Sequence, residues 1–357
     1  MTETYFRRDS HYVPCEYLKR WASPTRRLWV YRILVSHEKV PLWKESSIRG
    51  IAYHSHLYTR IAAGLESDEI EQWFEHEYET PAEETLQKAT SNGRLTPSDW
   101  RVLVRFLAAQ DVRTPARLVE ILRRWRKTLP ELFENTLQTS VQKFELMKSR
   151  GENIPHTESP LTKYFPLRIK TETEPDKEFG TIRAETIVGR GLWLFGIKHL
   201  LTKTVDVLHK HRWTILSPPK GIKWFTSDDP VVRLNYHDPK KYDFGGGWGS
   251  KGTEIFMPLS PNHLLYTQIG KRPPLRGTQV SLAQAEMIRR FIAEHAHRFI
   301  FAAEPDMHVP KLKPRLVSVD LLNDEKMQWS KWHEDQTSAE RRLMGWTQDF
   351  QEKYDKT

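Results

Sequence analysis

The sequence contains very little cysteine and no long apolar run. Its 357 residues include a single cysteine, Cys15, which excludes an intramolecular disulfide framework and a cysteine-rich zinc site. The longest apolar-looking stretch, residues 191–201, contains Lys198 and His199 and is too short to span a bilayer. No apolar segment follows the first residues, so the sequence predicts no secretory signal. We therefore expect a cytoplasmic protein without a membrane partner.

Several short motifs of common enzyme classes are also absent. The patterns GxxxxGK[ST], HExxH, GxSxG and CxxC do not occur in the chain. These patterns belong to phosphate-binding loops, zinc proteases, serine hydrolases and thiol oxidoreductases, respectively. Any catalytic site must therefore be assembled from residues that are far apart in the sequence.

Aromatic residues and positive charge are what the sequence has in quantity. It contains 13 Trp, 15 Phe and 12 Tyr, which supply large units of burial and predict a folded protein. The formal net charge is +9 and the pI is near 9.4. Such a charge favours a polyanionic partner, nucleic acid or a nucleotide, although a total charge does not show whether the cations cluster.

Hydrophobic periodicity divides the chain into a helical first half and a strand-rich second half. We expect an early strand at 27–35, helices over about 66–150, a loop at 151–180 and strands over about 211–302, with a helix at 281–295 before the last strand. Among the helices of the first half, one begins at a Thr96 cap with Asp99, the next opens at 114–115, and a further helix covers 130–147. Segregated runs of this kind predict an α+β fold. In this fold, the helix-rich N-terminal half packs on a mainly antiparallel sheet formed by the early strand and the C-terminal half.

The sequence predicts a single α+β domain followed by a tail. The domain is expected to cover residues 1–325, because the early strand needs partners from the second half of the chain. Residues 326–357 are rich in charge and are expected to form a weakly tethered tail.

Three groups of polar residues have spacings that suit a functional site. Asp228 lies in a polar turn between two apolar runs, where it could be a catalytic acid or cap nearby amides in an Asx-type turn. Gln110 and Arg113 lie at a helix junction and could clamp an anion or join two helices, and the Gln110 amide must be hydrogen-bonded if it is buried. Glu77 and Glu79 each lie in line with apolar helix positions; a buried carboxylate there needs a partner such as Arg113 or has a raised pKa.

A dense basic run follows Arg113 in the next predicted helix. Trp125 is interleaved with the basic residues, as in many polyanion-binding segments. A solvated helix face is the alternative explanation. The nucleic-acid-binding residues predicted from this run are Arg117, Arg123, Arg124, Arg126 and Lys127.

Six motifs in the same order resemble a known bacterial family of domains of unknown function, the HYVP type, numbered four-two-three-eight. The resemblance begins at His11-Tyr12-Val13-Pro14 and continues through Glu79, seven residues before Leu86, although Glu77 remains an alternative. A Q-x-x-R-T-P element starts at Gln110. The remaining elements are Trp213 to Leu216, Trp224 to Val231 and Pro258 to Pro261, so that the resemblance runs from about residue 11 to 302. Asp229 stands where the family usually has Asn.

The resemblance implies one shared site formed by His11, Glu79, Gln110, Arg113 and Asp228. This set suits a metal- or acid–base-assisted hydrolase, with His11 as the base and Arg113 as the stabiliser of an anionic transition state. Asp228 would orient His11 or bind a divalent metal such as magnesium. We expect a nuclease-like enzyme, by analogy a phage-defence or toxin effector. The alternative is a non-catalytic module that binds nucleic acid or a small ligand and uses the polar set as a structural clasp.

Overall fold

A computed structural model describes residues 6–62, 65–152, 167–173 and 180–354. The α-helices in these residues are α1 (Cys15–Leu18), α2 (Glu69–Phe74), α3 (Thr80–Thr90), α4 (Pro97–Val112), α5 (Pro115–Ser149), α6 (Arg190–His199), α7 (Asp206–His209), α8 (Leu282–His295), α9 (Val309–Leu312) and α10 (Val319–Tyr354). Two π-helical turns, Glu75–Glu79 and Leu200–Thr204, and two 3-10 turns, Lys19–Trp21 and Ile48–Gly50, lie between these elements.

The strands are mostly short. They are β1 (Asp9–His11), β2 (Arg27–Arg32), β3 (Leu34–Val35), β4 (Trp43–Ser47), β5 (Tyr53–Ser55), β6 (Arg60–Ala62), β7 (Leu65–Ser67), β8 (Leu167–Thr173), β9 (Gly180–Thr186), β10 (Thr214–Leu216), β11 (Thr226–Ser227), β12 (Val232–Asp238), β13 (Lys241–Asp243), β14 (Glu254–Ser260), β15 (His263–Gln268), β16 (Phe299–Ala302) and β17 (Leu316–Val317). Apart from the parallel pair β3–β17, neighbouring strands in the described residues are antiparallel.

The α+β class expected from the sequence is confirmed, with one difference in how the strands are shared. Strands β10, β15, β14, β12 and β13 form a five-stranded sheet in that order. The early strand β2 instead lies in a four-stranded sheet of order β11, β16, β2, β4. In that sheet, β2 pairs with β16 from the second half of the chain, as expected. The strands nevertheless form two main sheets, where one was expected.

Local sequence chemistry explains where α4 and α8 begin. The Thr96 hydroxyl accepts a hydrogen bond from the Asp99 amide at 3.2 Å, and the Asp99 carboxylate accepts one from the Thr96 amide at 2.7 Å. Pro97 occupies the first turn, where no backbone donor is needed. Ser281 and Gln284 form the same reciprocal cap at the start of α8. The Thr96 cap thus sets the start of α4, the helix that contains Gln110 and ends at Arg113.

One apolar cluster joins the two main sheets to α8. Phe256 from the five-stranded sheet, Tyr31 and Ile300 from the four-stranded sheet, and Phe291 and Ile292 from α8 belong to it. Each of these side chains is at most 2% exposed. Burial of a large apolar side chain contributes about 1.5–3 kcal/mol, so this cluster is a main source of stability around β11 and β16.

Three segments differ from the sequence-based expectation. The loop expected at 151–180 contains β8 and the first residue of β9, which pair with each other over their full length. Residues 153–166 and 174–179 of that loop lie outside the described part. The two helices expected on either side of Pro130 form the single helix α5, with the exposed Pro130 inside it. The proline ring clearly does not end this helix, although it removes one backbone donor.

The charged tail expected at 326–357 is helical as far as Tyr354 and is anchored by charge. Arg190 is fully buried, and its Nε and Nη2 donate to the two carboxylate oxygens of Glu340, each at 2.9 Å. Glu340 also accepts from the backbone amide of Ile61 at 3.1 Å. A buried guanidinium needs such a partner, so the carboxylate belongs to the folded structure and not to a solvated tail.

Contacts divide the chain into two compact units where the sequence predicts one domain and a tail. The larger unit comprises Met1–Thr59, Asp68–Arg117 and His199–Lys331, and it includes both main sheets. The smaller unit comprises Arg60–Ser67, Leu118–Lys198 and Trp332–Thr357. No helix in the described residues combines the length and apolar character that a membrane span requires.

Candidate active site

Arg113 is the centre of a buried polar cluster in the larger unit. It follows the last residue of α4, and its side chain is 0% exposed. Its Nε donates to the carbonyl of Tyr12 at 3.0 Å, and its Nη2 donates to the carbonyl of His11 at 2.5 Å. Its Nη1 donates to Oε1 of Glu79 at 2.6 Å. All three guanidinium nitrogens are therefore engaged, and the group joins the N-terminal segment to the helical part.

A π-helical turn carries Glu79 to this cluster. The turn Glu75–Glu79 connects α2 to α3, and such turns are frequent at functional sites because they redirect side chains within a helix. Phe74, just before the turn, places its ring 4.8 Å from the Arg113 guanidinium carbon. Glu77 instead pairs with the exposed Arg105 at 3.2 Å. Glu79, rather than Glu77, is therefore the carboxylate that belongs to the cluster.

The His11 side chain reaches the same region. Its Nε2 lies 3.3 Å from the carbonyl of Arg49, and because a carbonyl only accepts, Nε2 carries the proton and Nδ1 keeps its lone pair. Burial lowers the pKa of His11; the charge of Arg113 lowers it further, whereas the Arg49 carbonyl and Glu79 oppose the shift. The imidazole is thus neutral at pH 7 and able to accept a proton.

Glu71 is a functional candidate that the sequence-based reasoning missed. Burial raises its pKa to about 8, against the opposing charge of Arg113, and Glu79 adds to the rise. Its Oε2 is buried without a hydrogen-bond partner among the described residues. The available signal was its place on α2, three residues before the buried Phe74. Arg113 therefore has two acidic neighbours, of which Glu71 is protonated at neutral pH.

Gln110 lies one helical turn before Arg113 but outside its hydrogen-bond network. The side chain is buried, and neither Nε2 nor Oε1 has a hydrogen-bond partner in the part of the chain that is described. The sequence predicted that a buried amide here would be bonded, as buried amides almost always are. In the described residues, the Gln110 amide is therefore an unsatisfied buried group on α4, the helix that ends at Arg113.

The Asp228 carboxylate is held by backbone amides of the segment that precedes β16. It accepts hydrogen bonds from the backbone amides of His297 at 2.9 Å and Arg298 at 2.7 Å. The Asp228 amide donates to the carbonyl of Phe299 at 3.1 Å. Burial nevertheless raises the pKa of Asp228 to about 7. The carboxylate thus ties the end of β11 to the chain that enters β16.

Tyr12 is the link between Asp228 and the Arg113 cluster. Burial raises the pKa of the Tyr12 hydroxyl, and the nearby charge of Asp228 adds to the rise. The Tyr12 carbonyl meanwhile accepts from Arg113. The structure therefore joins Arg113 to Glu79 and to the backbone of His11, whereas the hydrogen bonds of Asp228 go to the backbone of residues 297–299.

Asp229 and Arg117 belong to a second buried network that the sequence did not reveal. Asp229 accepts from the Thr114 hydroxyl at 3.0 Å, and its other oxygen lies 3.5 Å from Nε2 of His295. Arg117 pairs with Asp111 at 3.0 Å and lies 3.9 Å from Asp229. The carboxylate at 229 thus accepts from a hydroxyl and lies near the cationic Arg117, which accounts for its tolerance where the family usually has Asn.

The predicted basic run is divided by burial. Arg117 is only 5% exposed and is held in the network of Asp111 and Asp229, so its guanidinium is not presented to a polyanion. The remaining members are exposed on α5 within the smaller unit; they are Arg123, Arg124, Arg126 and Lys127. The structure therefore keeps four of the five predicted cations on the surface.

The donors available to a metal are few in this cluster. Both oxygens of Asp228 accept backbone amides, and Oε1 of Glu79 accepts from Arg113. Beside Oε2 of Glu71, which belongs to a carboxyl group that is protonated at neutral pH, Glu79 Oε2 and His11 Nδ1 are left to contact a metal, a water or a substrate. Magnesium prefers several oxygen ligands, so this pair alone would hold it only together with substrate or water oxygens.

The geometry defines an α+β protein in which an enclosed arginine holds the Glu79 carboxylate and the backbone of the half-buried His11. Residues 10–306 match a family described as "Protein of unknown function (DUF4238)". The match covers most of the chain, and the protein belongs to this family. No curated protein and no solved structure matches the chain.

Proposed function

We propose that the protein is an acid–base-assisted hydrolase that cleaves phosphodiester bonds in nucleic acid or nucleotides in the cytoplasm. The observation that carries the proposal is the way Arg113 holds Glu79 and the backbone of His11 together. Preorganised groups of this kind are typical of catalytic sites, and burial lowers the pKa of the His11 imidazole among them.

His11 and Glu79 are the reacting groups in this proposal. Nδ1 of His11 removes a proton from water as the water oxygen bonds to phosphorus. The bond from phosphorus to the leaving oxygen then breaks, and that oxygen takes a proton from solvent. Glu79 stabilises the imidazolium that forms, as a carboxylate beside a catalytic histidine commonly does.

Arg113 and Asp228 are positioning residues in this mechanism. The Arg113 guanidinium is enclosed and fully engaged, so it orients the reacting pair rather than touching the anionic transition state. Asp228 positions the end of β11 by accepting hydrogen bonds from the backbone that leads into β16. Gln110, buried without a partner, is the group we assign to positioning a water.

Charge supports a nucleic-acid or nucleotide substrate. The chain carries a formal charge of +9, and the exposed Arg123, Arg124, Arg126 and Lys127 offer a basic helix face. A cytoplasmic enzyme that degrades nucleic acid would act as a phage-defence or toxin effector, and we include that biological role in the proposal.

The experiment is a substrate panel with matched histidine variants. Purified protein is incubated with single-stranded RNA, single- and double-stranded DNA, and nucleotides, with magnesium or with EDTA. We expect cleavage of at least one substrate, its loss in His11→Ala, and its retention in His76→Ala, whose side chain is exposed on the π-helical turn. Loss of cleavage in EDTA would assign a magnesium ion to the mechanism.

Equal cleavage by both variants, with circular dichroism showing both folded, would reject the assignment of His11. Absence of turnover on every substrate would reject the enzyme and favour the second candidate.

A non-catalytic binding module is the second candidate. The observation in its favour is that Nε and Nη2 of Arg113 and both carboxylate oxygens of Asp228 bond to backbone groups, as structural clasps do. This candidate predicts salt-sensitive binding of nucleic acid without turnover. Filter binding at increasing salt, beside the cleavage panel, separates the two.

A further inference from the structure

A cavity of about 550 Å³ opens on the larger unit, apart from the cluster around Arg113. One face comes from α4, whose Pro97, Trp100, Arg101 and Val104 recur at helical spacing. The other walls are the segment from α7 into β10 and the loop after β15, residues 272–276. This volume is in the range of sites that bind small molecules.

The lining of this cavity has one sign of charge. No Asp or Glu is among its residues. Its basic members are Arg101, Arg212, Arg272, Arg276, His209 and His211. A cleft lined by a single sign of charge concentrates counter-ions, so this cavity favours an anionic ligand.

Three of these arginines have their guanidinium groups available. Arg101, Arg212 and Arg272 are exposed, and in the described residues their guanidinium groups make no ion pair or hydrogen bond. Arg276, in contrast, donates to the carbonyl of Gly93 at 2.7 Å and is a fixed part of the wall. Free, planar donor groups around a preformed wall suit the oxygens of a phosphate.

Aromatic and apolar groups lie between the cations. Trp100 and Trp213 both line the cavity, and Nε1 of Trp213 donates to the carbonyl of Leu208 at 3.0 Å, which fixes that indole. Leu275 lines the same cavity and is 77% exposed. Indole faces next to arginines are the usual means by which proteins hold an unpaired nucleobase and its phosphate.

A second, independent feature points to a polar ligand atom. Thr214, in β10, lines the cavity and is 2% exposed. Its Oγ1 is buried and has no hydrogen-bond partner among the described residues. A buried hydroxyl without a partner is costly, and a ligand or its bound water would satisfy it.

We infer that this cavity binds a nucleoside phosphate. The base lies against Trp100 or Trp213, the phosphate is held by Arg101, Arg212 and Arg272, and Thr214 supplies a polar contact. The ligand is a free nucleotide or one nucleotide of a single strand, since both present the same chemistry. The inference does not depend on the proposed hydrolysis, because the site is defined by different residues and requires binding only.

Binding measurements on the full chain test this site. Fluorescence anisotropy would follow a labelled 12-nucleotide RNA and the same sequence in DNA, with calorimetry for AMP and ADP. We expect Arg272→Glu and Arg101→Glu to weaken binding about ten-fold each and to reduce its salt dependence. Trp100→Ala should weaken it by about ten-fold through lost stacking. The charge control is Arg32→Glu, an exposed residue at the end of β2.

The Thr214 hydroxyl gives a test that is independent of charge. Thr214→Val keeps the shape and removes the unpartnered oxygen, so it should leave Tm unchanged or higher while weakening binding. Thr226→Val is the matched control, because its hydroxyl bonds to the Tyr17 hydroxyl at 2.7 Å and its loss should lower Tm without affecting binding.

The outcomes separate the sources of the ligand. Tight binding of AMP or ADP identifies a free nucleotide, and binding of the oligonucleotides alone identifies a single strand; both support the site. Competition by inorganic phosphate as effective as by AMP would overturn it, since the base would then contribute nothing. Absence of binding, or equal binding by the pocket variants and Arg32→Glu, would also overturn it. Cleavage is scored separately in the substrate panel, so failure of binding at this cavity is distinguished from failure of the hydrolase.

Discussion

Removal of the Arg113 guanidinium should destabilise the larger unit strongly. The group is fully buried, pairs with Glu79 and donates to two backbone carbonyls. Arg113→Ala leaves the carboxylate and both carbonyls without their donor. Breaking a buried pair in this way costs about 3–5 kcal/mol. For a domain of 150–250 residues, that corresponds to a fall in Tm of roughly 6–20 °C.

The structure offers a matched control for this variant. Arg105 lies on the same helix α4 and pairs with Glu77 of the same π-helical turn, but both side chains are exposed. Exposed pairs contribute about 0–1 kcal/mol, so Arg105→Ala should lower Tm by only a few degrees. Differential scanning fluorimetry at pH 7 compares the two variants. Equal small shifts for Arg105→Ala and Arg113→Ala would refute the clasp.

Three other predictions test the cluster and the basic helix. Because burial raises the pKa of Glu71 to about 8, its ionisation opposes folding as pH rises from about 4.5 through 8, and Glu71→Gln should raise Tm at pH 8.5 more than at pH 5; a pH-independent difference would contradict this. Gln110→Met should stabilise the protein by about 1 kcal/mol because it removes unpartnered buried atoms, whereas the exposed Gln87→Met should have no effect; marked destabilisation of Gln110→Met in urea unfolding would show a hidden partner. Arg123→Glu with Arg126→Glu should weaken nucleic-acid binding and reduce its salt slope by about 2, measured by filter binding; an unchanged slope would remove α5 from the interface.

Local sequence chemistry predicted the elements whose causes are themselves local. The Thr96–Asp99 cap, the Ser281 start of α8 and the strands β14 and β15 follow from capping and apolar patterns that a short window contains. The separation of β2 into a different sheet from β12 could not be predicted, because pairing partners depend on packing across more than 200 residues. The tail was misjudged for the same reason: Glu340 finds Arg190 only in the fold.

One contact within the candidate site could be anticipated from the sequence. A carboxylate buried on the apolar helix face was expected to have a partner such as Arg113 or a raised pKa, and Glu79 pairs with Arg113. The burial of Arg113 and Asp228 could not be inferred, since both side chains are enclosed by segments from elsewhere in the chain. Arg117 was assigned to the surface run because its neighbours in sequence are basic, whereas its partner Asp111 lies on the preceding helix.

The most direct test of the proposed chemistry compares two glutamate-to-glutamine substitutions that lie two residues apart. Glu79→Gln and Glu77→Gln change the same turn in the same way. Only Glu79→Gln removes the carboxylate that pairs with Arg113, whereas Glu77 pairs with Arg105. On whichever phosphodiester the wild type cleaves, kcat/KM should fall by at least about a hundred-fold in Glu79→Gln and remain near wild type in Glu77→Gln. If a folded Glu79→Gln protein turns over that substrate as fast as Glu77→Gln does, the acid–base assignment is wrong.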